Sequence, residues 1–276
     1  MRRLLTFACD GHALAAALDG AEAESATGLL LVTGGSQTRF GSHRMSEGLT
    51  KALAELGLSC LRFDRRGVGD SEGEDPGFLG SAPDIAAAAA AFRKARPPLR
   101  RLYGFGLCDG ATALALFGAQ AGLDGLVLVN PWLVEADSGE PPPAAIRRHY
   151  RDRLLSLDGW KRLLSGGVDY RKLLRGILKS GQTAPSTLAQ QVAEALRRDR
   201  LPVETILAAG DATAIAAEAE MKSPAFKGLA IGFQSVETDS HTFARPGDEE
   251  RLKNAVLEAV RRLEARATSR PDAAGG

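Results

Sequence analysis

Three side chains of suitable type and order make acyl chemistry possible in this sequence: Cys108, Asp211 and His241. A thiol attacking an acyl carbon needs a base within hydrogen-bond reach, and the base needs a carboxylate to orient its ring. Cys108 stands in Gly104-Phe105-Gly106-Leu107-Cys108-Asp109-Gly110-Ala111, between an apolar strand-like run and a helical pattern. Gly-x-Cys-x-Gly in that context predicts a sharp strand-to-helix turn, an elbow that lifts the nucleophile above a sheet. Gly106 and Gly110 are required small, because a side chain at either would strike the adjoining strand or helix. A sulfur so placed lies at a helix N-terminus, whose dipole favours the attacking anionic form. Cys9 and Cys60 sit inside strand patterns and read as core residues.

Two histidines follow Cys108. His149 lies among Arg147, Arg148 and Tyr150, which suits a solvated or gating role. His241, in Thr238-Asp239-Ser240-His241-Thr242-Phe243, falls between the last strand pattern and the final helix and is the expected base. Asp211, at the end of the strand pattern 203–208, is the expected acid; Asp239 is the alternative, but two residues from His241 it is less able to face the ring. The oxyanion hole calls for the Asp109 N–H and a second amide from Thr33-Gly34-Gly35-Ser36-Gln37-Thr38-Arg39, with Ser36 or Gln37 as the donor. Arg39, His43 and Arg44 lie just beyond, as the mouth of a pocket or a solvated rim. Asp64-Arg65-Arg66-Gly67-Val68-Gly69-Asp70-Ser71 is assigned to scaffold beside the oxyanion turn.

To position these groups the chain must bring the ends of several strands together. Short apolar runs at 28–32, 59–63, 101–105, 125–129, 203–208 and 229–236 alternate with helical patterns at 45–56, 83–94, 109–121 and 249–267. That alternation predicts a mostly parallel sheet covered by helices on both faces. Residues 4–9 and 13–18, across Asp10-Gly11, have the form of a hairpin at its antiparallel edge. Residues 1–132 and 201–267 make the core. Residues 133–200, with Pro141-Pro142-Pro143 and basic amphipathic stretches, read as a helical lid over the carboxyl ends of the strands, and residues 268–276 as a disordered tail. Whether the basic lid (Arg147, Arg148, Arg151, Arg153, Lys161, Arg162) meets an acidic substrate or solvent is left open.

Composition narrows the partners. In 276 residues, 35 Lys and Arg nearly cancel 34 Asp and Glu, so a broad field for nucleic acid is absent and a small molecule is the expected partner. No apolar run approaches the ~20 residues of a membrane span, and the N-terminal stretch reads as a strand rather than a signal peptide; a cytoplasmic protein is expected. Three separated cysteines without CxxC spacing argue against a disulfide framework and a zinc site, and no metal or cofactor is expected. Gly104-x-Gly106-x-x-x-Gly110 loosely imitates a dinucleotide-binding turn, but it follows the wrong strand and lacks the acid such a site needs.

Thr33-Gly34-Gly35, Asp64-x-Arg66-Gly67-x-Gly69-x-Ser71, Gly106-x-Cys108-x-Gly110, Gly210-Asp211 and His241 together resemble the α/β-hydrolase superfamily over nearly the whole chain. More narrowly, Gly106-Leu107-Cys108-Asp109-Gly110-Ala111, Asn130-Pro131-Trp132 and Asp239-Ser240-His241-Thr242-Phe243 look like the first of the hydrolases associated with the bacterial exosortase A system, encoded with exopolysaccharide assembly genes. The resemblance implies an α/β-hydrolase fold, with lid, acting on an ester or thioester through an acyl-cysteine, in a setting of polysaccharide production. That superfamily more often carries serine at position 108; dienelactone hydrolases share the cysteine but are smaller and lack the lid segment. A thioester intermediate also permits transfer to an alcohol or amine, so an acyltransferase is one alternative and a catalytically silent binding protein on the same scaffold another.

Overall fold

The computed structural model describes residues 2–20, 25–134 and 187–268. Strands β1 (Arg2–Cys9) and β2 (His12–Asp19) pair antiparallel around Asp10-Gly11, both at positive φ (47° and 83°). A two-residue hairpin turn demands the left-handed region at both positions, which aspartate tolerates and glycine adopts freely. The sheet continues through β3 (Thr27–Val32), β4 (Ser59–Phe63), β5 (Arg101–Leu107), β6 (Gly125–Val129), β7 (Val203–Ala208) and β8 (Ile231–Val236). Its order is β1-β2-β4-β3-β5-β6-β7-β8. β2 meets β4 antiparallel, and every later pairing is parallel. β4, β6 and β7 are buried at every position, and β6 accordingly reads as an unbroken apolar run, while β4 carries Arg62 and β7 carries Glu204 and Thr205.

Helices α1 (Met45–Glu55) and α6 (Asp248–Thr268) pack together, while α2 (Ala82–Ala95) and α4 (Thr187–Asp199) pack against α3 (Asp109–Phe117); α5 (Ala212–Met221) follows β7. Along α6, Leu252, Val256, Val260 and Leu263 are buried at helical spacing, and Arg262 and Arg266 reach Glu204 on β7 at 3.6 and 2.7 Å. Fully buried, Glu204 needs such partners to stay charged.

Most elements expected from the sequence are present, with shifted ends. β5 runs two residues further than expected, straight into the elbow, and α3 stops at Phe117 rather than 121. The clearest difference lies at 187–199. The sequence pattern places this stretch in the lid, yet α4 lies against α3 and buries Leu188, Ala189, Val192, Ala193, Ala195 and Leu196 in the main core. An amphipathic stripe reports that a helix has an apolar face, not which surface it covers. The rest of the expected lid, 135–186, and the tail from 269 lie outside the described residues. Among the described residues, no helix is long and apolar enough to cross a membrane.

The strand order decides where chemistry can occur. From β3 the chain goes to one side for β4 and comes back to the other side for β5, so the loops after β3 and β5 emerge side by side at the carboxyl ends. Val32 stands level with Gly106 in that pairing.

Candidate active site

Cys108 occupies the turn between β5 and α3 with φ 58° and ψ −126°, a conformation that costs a non-glycine residue roughly 1–3 kcal/mol. Hydrogen bonds hold it there. Its N–H donates to Val129 O at 3.0 Å, and its carbonyl accepts N–H groups of Ala111, Thr112 and Trp132 at 3.1–3.3 Å. The flanking glycines are sterically obligatory: a Cβ on Gly106 would come 2.6 Å from Gly110 backbone, and one on Gly110 would come 2.5 Å from the Val32 carbonyl oxygen. Cys9 and Cys60, by contrast, are buried in the core, where burial pushes both thiols up.

His241 lies between the acid and the thiol. Its Nδ1 is 2.9 Å from Asp211 Oδ2, and Cys108 is close enough to act on the same ring electrostatically. With Nδ1 engaged by Asp211, Nε2 is the nitrogen left to face Cys108. The hydrogen bond to Asp211 first, and the interaction with Cys108 second, raise the imidazole pKa to about 10 against an opposing effect of burial. Asp211 is also fixed as the N-cap of α5, its Oδ2 accepting the Ala214 N–H at 2.9 Å. Asp239, the alternative acid, is exposed and forks onto Arg245 at 2.9 and 3.1 Å.

Two further residues steady the base loop. Asn130, wholly buried at φ 42°, donates from Nδ2 to the His241 carbonyl at 2.9 Å and accepts the Ala208 N–H on Oδ1 at 2.8 Å. One side chain thereby ties the end of β7, which leads to Asp211, to the loop that carries His241. His43 stands exposed at the rim, its Nε2 2.9 Å from the Thr242 carbonyl.

The oxyanion side is more crowded. The Asp109 N–H, at the first position of α3, has no intrahelical acceptor and is free for substrate. In the loop after β3, the Gln37 N–H is spent on the Gly34 carbonyl at 3.3 Å and the Gly35 N–H on Asp109 Oδ1 at 2.6 Å. The Ser36 N–H donates to no group among the described residues, so of the two expected donors Ser36 is the one whose amide is available. Arg39 does not line a mouth. It is buried, with its guanidinium bonded to Asp64 and, at 2.7 Å, to Asp70. Asp64 also accepts the Asp70 N–H at 3.1 Å, the scaffold role expected of that segment. No group of three or more His, Cys, Asp or Glu among the described residues is placed to hold a metal ion.

A family model described as the alpha/beta hydrolase family matches residues 29–249, a span that contains the elbow, Asp211 and His241. The chain belongs to that family. Solved structures agree on the α/β-hydrolase fold. The structure of DcsB in complex with its substrate analogue is 16% identical, with a TM-score of 0.64 over 95% of this chain and 99% of that one. The Pyrococcus furiosus esterase Pf2001 is 14% identical, with a TM-score of 0.64 over 95% and 91%. Est1E from Butyrivibrio proteoclasticus, solved with ferulic acid, is 18% identical, with a TM-score of 0.60 over 93% and 99%. No curated protein matches the chain.

In this α/β-hydrolase, sequence reasoning passed over Asn130, Arg65 and the Asp109 side chain. Asn130 did leave a local signal, a polar, left-handed-tolerant residue directly after an apolar strand and before Pro131. The Arg65 contact joins residues 30 apart in sequence and that of Asp109 residues 74 apart, so neither left one.

Proposed function

We propose that this protein hydrolyses an ester or thioester through a covalent acyl-cysteine, with Cys108 as nucleophile, His241 as base and acid, and Asp211 orienting His241. The observation that carries the reading is His241 held by Asp211 at 2.9 Å beside a cysteine on a strained strand-to-helix elbow. The Cys108 proton passes to His241 Nε2 before the sulfur attacks the carbonyl carbon, and on attack the carbonyl π pair moves onto oxygen, facing the Asp109 and Ser36 amides. When the tetrahedral intermediate collapses, the bond to the leaving group breaks and Nε2 returns the proton to it. Water then loses a proton to Nε2 while attacking the thioester carbon; collapse releases the carboxylic acid, and the sulfur recovers its proton. An alcohol or amine in place of water makes the same site an acyltransferase. The protein would work in the bacterial cytoplasm, and the motif resemblance links it to exopolysaccharide production.

Intact-protein mass spectrometry after brief exposure to a panel of activated esters tests the reading. One acyl group per chain, absent in Cys108→Ala and slowed about 10²–10⁴-fold in His241→Ala, is the expected result. Acylation surviving in Cys108→Ala would remove the nucleophile assignment. Slow labelling of every accessible thiol, indifferent to His241, would leave a non-catalytic binding protein.

A further inference from the structure

The two peptide groups that flank Gly35 are held by opposite charges. The Gly35 carbonyl accepts a hydrogen bond from Arg65 Nη2, and the Gly35 N–H donates to Asp109 Oδ1 at 2.6 Å. Arg65 is almost wholly buried; Asp75 Oδ2 stands 3.7 Å from it, while its Nε and Nη1 find no partner among the described residues. The gap between loop and elbow is minimal, since a Cβ on Gly34 would come 2.5 Å from Asp109 Oδ1 and 3.2 Å from Cys108 Cβ. Arg65 holds the Gly35–Ser36 peptide, whose N–H is that of Ser36 and points opposite to the held carbonyl, while Asp109 holds the preceding Gly34–Gly35 peptide, so the planes on both sides of Gly35 are set by a charge. Gly35 itself lies at φ 56° and has no side chain to hold it by packing.

We infer that Arg65 and the Asp109 carboxylate are positioning residues that clamp the two peptides flanking Gly35 and thereby aim the Ser36 N–H, which shares its peptide with the carbonyl held by Arg65, at the oxyanion. The inference rests on the acyl-cysteine reading above and adds to it the device that builds the second half of the oxyanion hole. Asp109 contributes twice, its backbone N–H to substrate and its side chain to the opposite loop. Its carboxylate takes the Gly35 N–H out of the donor set, which makes Ser36 the donor after β3. The opposite possibility is that the carboxylate blocks the hole, and it predicts the reverse effect on rate.

Two reactions of one sulfur separate these. Acylation by an activated ester passes through a tetrahedral oxyanion, whereas alkylation by iodoacetamide occurs at a saturated carbon and needs no oxyanion hole. Their ratio within one variant cancels changes in thiol ionisation and accessibility. In Asp109→Ala and Arg65→Met the acylation-to-alkylation ratio falls on the order of 10- to 100-fold, as misplacement of a transition-state donor does. Asp109→Asn, which keeps an acceptor for the Gly35 N–H, recovers most of it. A ratio unchanged in Asp109→Ala, or raised by it, overturns the clamp. Should Arg65→Met fail to fold, the two Asp109 variants decide alone. Wild-type protein that is alkylated at Cys108 but never acylated overturns the acyl-cysteine reading and the clamp with it, a pattern distinct from failure of the clamp by itself.

Discussion

The two sides of Cys108 are built from different forces. On the base side, the ties from one loop to another are neutral hydrogen bonds: Asn130 to the His241 carbonyl and the Ala208 N–H, and His43, from the loop after β3, to the Thr242 carbonyl, whereas the charged pair Asp239–Arg245 lies within the loop after β8. Among the described residues, the charged side chain bonded to the His241 ring is Asp211. On the oxyanion side, the loops after β3, β4 and β5 are tied by charges: Arg39 to Asp64 and Asp70, Arg65 to Gly35 and Asp75, and Asp109 to Gly35. The difference follows from what each side has to do. In the proposed reaction the base changes its protonation state in each half-reaction, and extra fixed charges around it would trap one state. The oxyanion loop would change no proton, so charged ties there do not disturb the reaction and can hold its amides in place, as preorganised donors require.

Removing one charged tie sharpens this contrast most. Arg39→Met leaves fully buried Asp64 without its guanidinium and is expected to cost about 3–5 kcal/mol in denaturant unfolding. A loss below ~1 kcal/mol would mean that Asp64 is held well enough by backbone amides and that the charges are incidental. Asn130→Ala on the base side strands the buried Ala208 N–H and is expected to cost less, about 1–3 kcal/mol, while slowing acylation more than alkylation is slowed in the Arg39 variant. Equal costs on the two sides would erase the distinction between neutral and charged bracing.

A further expected effect is a pH dependence confined to the base side. The His241 pKa is raised from an ordinary 6.5 to about 10 in the folded protein, so the imidazolium is preferred in the native state. The stability it contributes is fully present below pH 6.5 and is lost as pH rises through about 10. Thermal melts across that window should show the wild type losing Tm relative to His241→Ala as pH increases. Parallel Tm curves for the two proteins would mean that the Asp211 contact is no stronger in the folded state for the charged ring than for the neutral one.

Local order explains what could be read without coordinates. The elbow is legible because Gly106 answers to the Gly110 backbone four residues on, and β6 because burial on both faces leaves a continuous apolar run, whereas Gly110 answers to Val32 across the sheet. Asp211 and His241 each lie within five residues of a strand end, at 208 and 236. The helix Thr187–Asp199 shows the limit: its apolar stripe is visible in the residues, but its seat against α3 is not.

By itself, then, the sequence determined the sheet's composition, the turn at Cys108 and the chain order of thiol, acid and imidazole, since strand period, helix period and turn chemistry are properties of neighbouring residues. The tertiary structure alone decided which loop amide remains available, that Arg39 faces inward, and that Asn130 reaches a carbonyl 111 residues away. Those outcomes depend on which strand ends the crossover at β3 brings side by side, and a hydrogen bond between distant segments has no periodicity to betray it.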